Sequence, residues 1–233
     1  MNVIPQAVKD GFVRAVGPVA RACLRWGISP NAITTAGAVV VVGSAIGFGM
    51  GLIQLAGLLL LVSGLFDILD GQVARQGQRM TVFGAFYDST LDRVGEAALF
   101  SGIAIYFLTG GVPGARQALA VGVTIAALAA SLLVSYTRAR AEGLGLECTV
   151  GLAARAERVL MLGLPTAVFG PGRDGALLFW IVVVLALATT VTVVQRVIHV
   201  ARVAGDAPAG TVPAAGRRRD TLPGHAPALR KGH

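Results

Sequence analysis

Between Trp26 and Phe66 the chain carries no Asp, Glu, Lys or Arg. A run of that length holds two membrane crossings at about 20 residues each and has no natural place in a water-soluble domain. Further charge-free runs follow at residues 97–115, 117–137, 159–172 and 175–195. Hydrocarbon offers no water to the backbone, so each crossing must satisfy its own amides and carbonyls as a helix. The reading is an all-α integral membrane protein with six spans, at about residues 31–51, 53–76, 81–108, 116–140, 152–170 and 175–198. The fifth must take in Arg155 and Arg158, because its charge-free run is short. A charged content of 14% and a mean hydropathy of +0.72 agree with a polytopic protein.

The net charge of +8 invites a nucleic-acid reading, but its distribution argues against one. With six spans and the N-terminus inside, only Arg116 and Arg173 of the 20 Lys and Arg face outward. That asymmetry predicts a multi-pass protein of the cell membrane with both termini cytoplasmic. Membrane lipids, not nucleic acid, are the expected surroundings. Residues 1–28 are expected to hold an amphipathic juxtamembrane helix over 6–26. There Val8, Phe12, Val16, Leu24 and Trp26 alternate with Lys9, Arg14, Arg21 and Arg25. Ser29-Pro30-Asn31 ends that element and caps the first span. Residues 29–203 are expected to form a six-helix transmembrane domain. Residues 204–233 have too little apolar content to fold and are expected to be a basic disordered cytoplasmic tail. Cys23 and Cys148 are expected to be free thiols on the inner side.

Against this apolar background stands Asp67-x2-Asp70-Gly71-x2-Ala74-Arg75-x8-Gly84-x3-Asp88-x3-Asp92. Ionisable groups at membrane depth are costly, so four carboxylates together imply a function. Asp67 and Asp70 end the second span; Asp88 and Asp92 begin the third. Each pair shares one helix face. The turn at 76–81 is short, which predicts direct antiparallel neighbours whose acids converge at the cytoplasmic side. Asp67, Asp70, Asp88 and Asp92 are thus candidate oxygen ligands for one or two hard divalent cations. Gly71, Ala74 and Gly84 leave room for a ligand to approach the backbone, and Arg75 offers a donor fork suited to phosphate. Together these suggest a nucleotide diphosphate substrate. Two other readings also explain the acids: a structural network with Arg75, Arg79 and Arg93, or an intramembrane cation transporter. Neither explains the small residues at fixed spacing.

The pattern resembles the signature of the CDP-alcohol phosphotransferase family, and with the span count the resemblance covers most of residues 1–203. It implies transfer of a substituted phosphate from a CDP-alcohol to a second alcohol, with release of CMP. It implies that Asp67, Asp70 and Asp88 ligate two ions, Mg2+ or Mn2+. Asp92 would be the catalytic base and touch the second ion, and Gly71, Ala74, Arg75 and Gly84 would line the CDP pocket. A homodimer is also implied.

A second cluster lies at the inner ends of the later spans: the segment from Ser135 through Arg138 to Glu142, then Arg155-Ala156-Glu157-Arg158, then Gln195-Arg196. Several arginines at one membrane level make an anion pocket, so a phosphorylated polyol is the expected acceptor. Ser135, Arg138, Arg155, Arg158 and Arg196 are the candidates to hold its phosphate. Positive-inside anchoring accounts for Arg140, Arg202 and the tail. Within the family these segments are similar to prokaryotic members that join CDP-diacylglycerol, or an archaeal CDP-lipid, to inositol phosphate. Two departures are Arg138, where actinobacterial members carry Lys, and Ala156, where they carry Pro. Glycerol 3-phosphate is the alternative acceptor. No His lies near the acids, so a zinc site is not expected.

Overall fold

The computed structural model describes residues 6–151 and 155–205. Its helices are α1 (Gln6–Arg25), α2 (Pro30–Gly49), α3 (Ile53–Gln76), α4 (Val82–Tyr106), α5 (Gly114–Gly143), α6 (Arg155–Phe169) and α7 (Ala176–Ala204), with no strand among the described residues. Helices α2, α3, α4, α5 and α7 are long and apolar enough to cross a membrane. Helix α6, with 15 residues, is shorter than a crossing needs. Residues 152–154, the start of the expected fifth span, lie outside the described part, as do 1–5 and 206–233. Six expected spans therefore stand as five helices of crossing length and a short sixth.

Local chemistry sets the helix starts. Ser29 Oγ accepts the Ala32 N–H at 3.2 Å and Pro30 occupies the first turn, as expected for this cap. Thr81 does the same for α4, accepting the Gly84 N–H at 2.9 Å. Between α3 and α4 the chain turns through Gln78, at φ 51°.

Helix α2 is the hub. It packs on both α3 and α4; α3 also packs on α1 and α6, while α5 packs on α4 and α7. Apolar association adds little inside a bilayer, so close backbone approach and hydrogen bonds must hold the bundle. Small residues permit that approach. A side chain on Gly102 of α4 would run into the Ala45 carbonyl of α2, and one on Gly57 of α3 would strike Thr166 and Ala167 of α6. Ser44 donates across to the Ala56 carbonyl at 2.7 Å. Phe48, Ile53, Leu60, Ile103, Phe107 and Leu178 fill the centre. Outward faces carry large apolar residues such as Val39, Leu58, Ile125 and Leu187, the arrangement lipid requires.

One expectation is corrected. Helices α3 and α4 are joined by a short turn but are not direct neighbours: nowhere do their Cα atoms come within 8 Å. The extended backbone of Thr81 lets them splay, and α2, thinned by Gly37 and Gly47 toward α3 and received by Gly95 and Gly102 of α4, packs against both. The acids consequently face a groove floored by α2 instead of a closed helix pair. On α1, Ala20 and Cys23 join Ile33 and Val73 in a second small core, while Val19 and Trp26 are exposed.

Candidate active site

One end of the groove is open. A cleft of about 180 Å³ is lined by Thr34 and Asn31 of α2, Asp70, Gly71 and Ala74 of α3, and Gly84 and Asp88 of α4. Asp70 is buried, and Thr34 Oγ1 donates to its Oδ2 at 2.7 Å. Asp88 lies close enough to feel both Asp67 and Asp70. Among the described residues no cation stands within ion-pair distance of Asp70 or Asp88. The first turns of α2 and α4 both open here, presenting their positive ends to an anion. Gly84 faces this space: a Cβ there would meet Thr81 Oγ1 at 3.0 Å and Asn31 Oδ1 at 3.3 Å. Arg75 does not line the cleft; it is exposed and folds back over Gly71, while Arg79 from the turn takes the lining position.

The other end is filled by arginine. Arg155 of α6 presents Nε to Asp67 Oδ2 at 2.9 Å and Nη2 to Oδ1 at 3.4 Å, and pairs through Nη1 with Asp92 Oδ1. Arg93 approaches Asp92 Oδ2 at 3.6 Å and donates to Ser135 Oγ of α5. Glu96 accepts a hydrogen bond from Arg93 at 2.7 Å and forms an ion pair with Arg158 Nη1 at 2.5 Å. Of the expected acceptor residues, the structure gathers Arg155, Arg158 and Ser135 around Asp92. Arg138 instead pairs with Glu142 at 2.8 Å, both about half exposed. Arg196 is buried and donates from Nε to the Val150 carbonyl at 2.9 Å and from Nη1 to the Val134 carbonyl, fastening the end of α5 to α7.

Among the described residues no three His, Cys, Asp or Glu side chains gather as a metal cage. The acids are nonetheless a hard-oxygen donor set, and a guanidinium bridges carboxylates from α3 and α4. That bridge shows that this place demands positive charge between the helices. The residues fit divalent cations once Arg155 withdraws, with Asp67, Asp70, Asp88 and Asp92 as the ligands at hand.

Sequence reasoning missed Thr34, Asn31, Arg79 and Glu96. Glu96 alone carried a usable signal, since it extends the Gly84, Asp88, Asp92 stripe by another four residues.

Comparison with known proteins identifies the family. The sequence profile of the CDP-alcohol phosphatidyltransferase family matches residues 27–194. The phosphatidylinositol phosphate synthase of Cutibacterium acnes is 38% identical over 202 residues, covering 83% of this chain and 96% of that protein. The archaetidylinositol phosphate synthase of Methanothermobacter thermautotrophicus is 37% identical over 187 residues, covering 80% and 89%. The crystal structure of the Mycobacterium tuberculosis phosphatidylinositol phosphate synthase with CDP-DAG bound superposes with a TM-score of 0.71 at 33% identity, over 81% of this chain and 94% of that one. The same enzyme in complex with manganese and citrate gives 0.71 at 32% identity, over 79% and 88%. The profile match, spanning most of the chain and the whole acidic groove, makes this multi-pass membrane protein a member of the CDP-alcohol phosphatidyltransferase family.

Proposed function

We propose that the chain transfers the phosphatidyl group of CDP-diacylglycerol to inositol phosphate and releases CMP. The observation that carries this reading is the meeting, at Arg155, of an acidic groove with an open end and an arginine cluster at the same level of the bundle. The relatives named phosphatidylinositol phosphate synthase support the acceptor.

In this reading the CDP moiety enters the open cleft, where Gly71, Ala74 and Gly84 let it reach the backbone. Arg79 flanks its phosphates, and Arg75 joins once it lifts from Gly71. Two divalent ions, Mg2+ or Mn2+, held by Asp67, Asp70, Asp88 and Asp92, neutralise charge building up on the diphosphate. Arg155, displaced from the acids, turns to the phosphate of the acceptor beside Arg158 and Ser135; Arg138 joins them only by releasing Glu142, and Arg196 acts by holding the end of α5 that carries Ser135. Asp92, freed of its guanidinium, takes the proton of the attacking hydroxyl. That oxygen bonds to the phosphatidyl phosphorus as the bond to the CMP oxygen breaks. The groove opens on the cytoplasmic face, both termini lie there, α1 rests in the headgroup layer, and the protein works as a homodimer.

The test is CMP release by purified protein with CDP-diacylglycerol and Mg2+, comparing inositol phosphate, glycerol 3-phosphate and free inositol. Release with inositol phosphate alone is expected. Release with glycerol 3-phosphate instead would overturn the acceptor and leave the chemistry standing. No metal-dependent CMP release with any acceptor, with either the diacyl or the archaeal CDP-lipid, would overturn the reaction.

A further inference from the structure

Glu96 lies one turn past Asp92 on α4 and outside the acidic signature, yet it holds two arginines: Arg93 at 2.7 Å and Arg158 at 2.5 Å. The pair it makes with Arg158 is withdrawn from solvent, with side-chain exposures of 12% for Glu96 and 9% for Arg158. Helices α4 and α6 do not touch through their backbones; their Cα atoms stay beyond 8 Å. Two side-chain rungs cross the gap, Arg155 to Asp92 and, one turn further along both helices, Arg158 to Glu96. All four residues line one small cavity between the helices. Arg158 Nε and Nη1 are both buried with no hydrogen-bond partner among the described residues, so Nη1 meets Glu96 as an ion pair and Nε meets nothing polar.

The rungs differ in what the reaction asks of them. The Arg155 rung uses Asp67 and Asp92, which the chemistry needs for cations and for the proton. The Arg158 rung uses a carboxylate outside the acidic motif, which otherwise holds only Arg93 of its own helix. We infer that Glu96 is a positioning residue: it keeps Arg158 fixed across the gap when Arg155 leaves Asp92, so that the unpartnered Arg158 Nε stays aimed at the acceptor phosphate. A buried guanidinium crowded by Arg93 and Arg155 is tolerated only beside a fixed negative charge. Replacing that carboxylate lets Arg158 turn away from its like-charged neighbours. This inference rests on the acceptor reading given above.

The experiment uses the full-length protein with CDP-diacylglycerol, inositol phosphate and Mn2+, and compares Glu96→Gln, Glu96→Asp, Arg158→Gln and the double variant E96Q/R158Q. Both single Gln variants should raise the KM for inositol phosphate about tenfold or more, the loss of one charge-assisted hydrogen bond. The KM for CDP-diacylglycerol and the Mn2+ Kd, read by calorimetry without substrates, should stay within about twofold. Glu96→Asp should recover most of the acceptor affinity, and the double variant should be little worse than Arg158→Gln. If Arg158→Gln raises the acceptor KM and Glu96→Gln does not, Glu96 positions nothing. If Glu96→Gln weakens Mn2+, donor and acceptor alike, it is a general support of the fold and the inference falls. If Arg158→Gln itself leaves the acceptor KM unchanged, the acceptor reading of Arg158 fails first and takes this inference with it.

Discussion

At one end of the groove Asp70 and Asp88 face glycine, alanine and a threonine hydroxyl; at the other, Asp67 and Asp92 face a guanidinium. The four acids belong to one motif and occupy equivalent helical positions, yet their surroundings set different tasks. At the open end Arg79 and two helix N-termini leave the acids unpaired and the backbone accessible, which suits an incoming phosphate-bearing ligand with its cations. The filled end is already charge-balanced by the protein, so anything that binds there must exchange for Arg155. A desolvated ion pair is a costly arrangement to break on one side only. The contrast therefore teaches that binding at the open end is addition, and at the filled end substitution.

The largest effect that would break this comparison lies at the filled end. Asp92→Asn should lower CMP release by about 10³-fold, within the range of a lost general base, while CDP binding persists and Mn2+ binding, with three of its four carboxylates left, weakens far less; undiminished turnover would remove Asp92 from that role. At the open end, Gly84→Leu should cut kcat/KM for the CDP-lipid about 100-fold, because the new side chain grows from a Cβ already 3.0 Å from Thr81 Oγ1. Intact Mn2+ binding in that variant would keep the effect local, and an unchanged donor KM would show that the ligand does not pass Gly84. Arg155→Ala sharpens the contrast in both directions. It should raise the acceptor KM about 10- to 100-fold, as losing a hydrogen bond between charged groups does, and tighten Mn2+ binding, since a competitor has gone. Equal rises for donor and acceptor, with Mn2+ affinity unmoved, would make Arg155 a purely structural residue.

Two stability variants complete the set. Gly57→Ala forces a methyl against Thr166 and Ala167 of α6 and should cost about 1–3 kcal/mol, read as a lower Tm in detergent; an unshifted Tm would mean that α6 does not bear closely on α3. Glu142→Ala removes a half-exposed pair with Arg138 and should change stability by at most about 1 kcal/mol. A large drop there would mean that the pair is far less exposed than its geometry shows.

Much of this architecture is legible in the residues because the bilayer punishes exceptions. The spans predicted at 31–51, 53–76, 81–108, 116–140 and 175–198 overlie α2 to α5 and α7, and Ser29 marks where α2 begins. The glycines and alanines of the motif line the cleft as their size requires. What was not legible is what comes from other helices. Thr34 meets Asp70 from α2, and nothing in the periodicity of either segment records that meeting. A short turn was read as enforcing contact between α3 and α4, whereas the space between them is set by how closely α2 packs on each through Gly47 and Gly102. Arg155 read as a phosphate ligand because arginine at a membrane surface has two ordinary uses, and only the position of α6 shows the carboxylates it covers.

The order of these elements along the chain has a consequence for biogenesis. Asp67, Asp70, Asp88 and Asp92 leave the ribosome well before Arg155 and Arg158 do. Until α6 arrives, the nascent α3 and α4 hold carboxylates near hydrocarbon with no guanidinium of their own to cover Asp67. The packing of α2 on α3 and α4 needs nothing from α6, but the charge balance of Asp67 waits on that late helix and its Arg155.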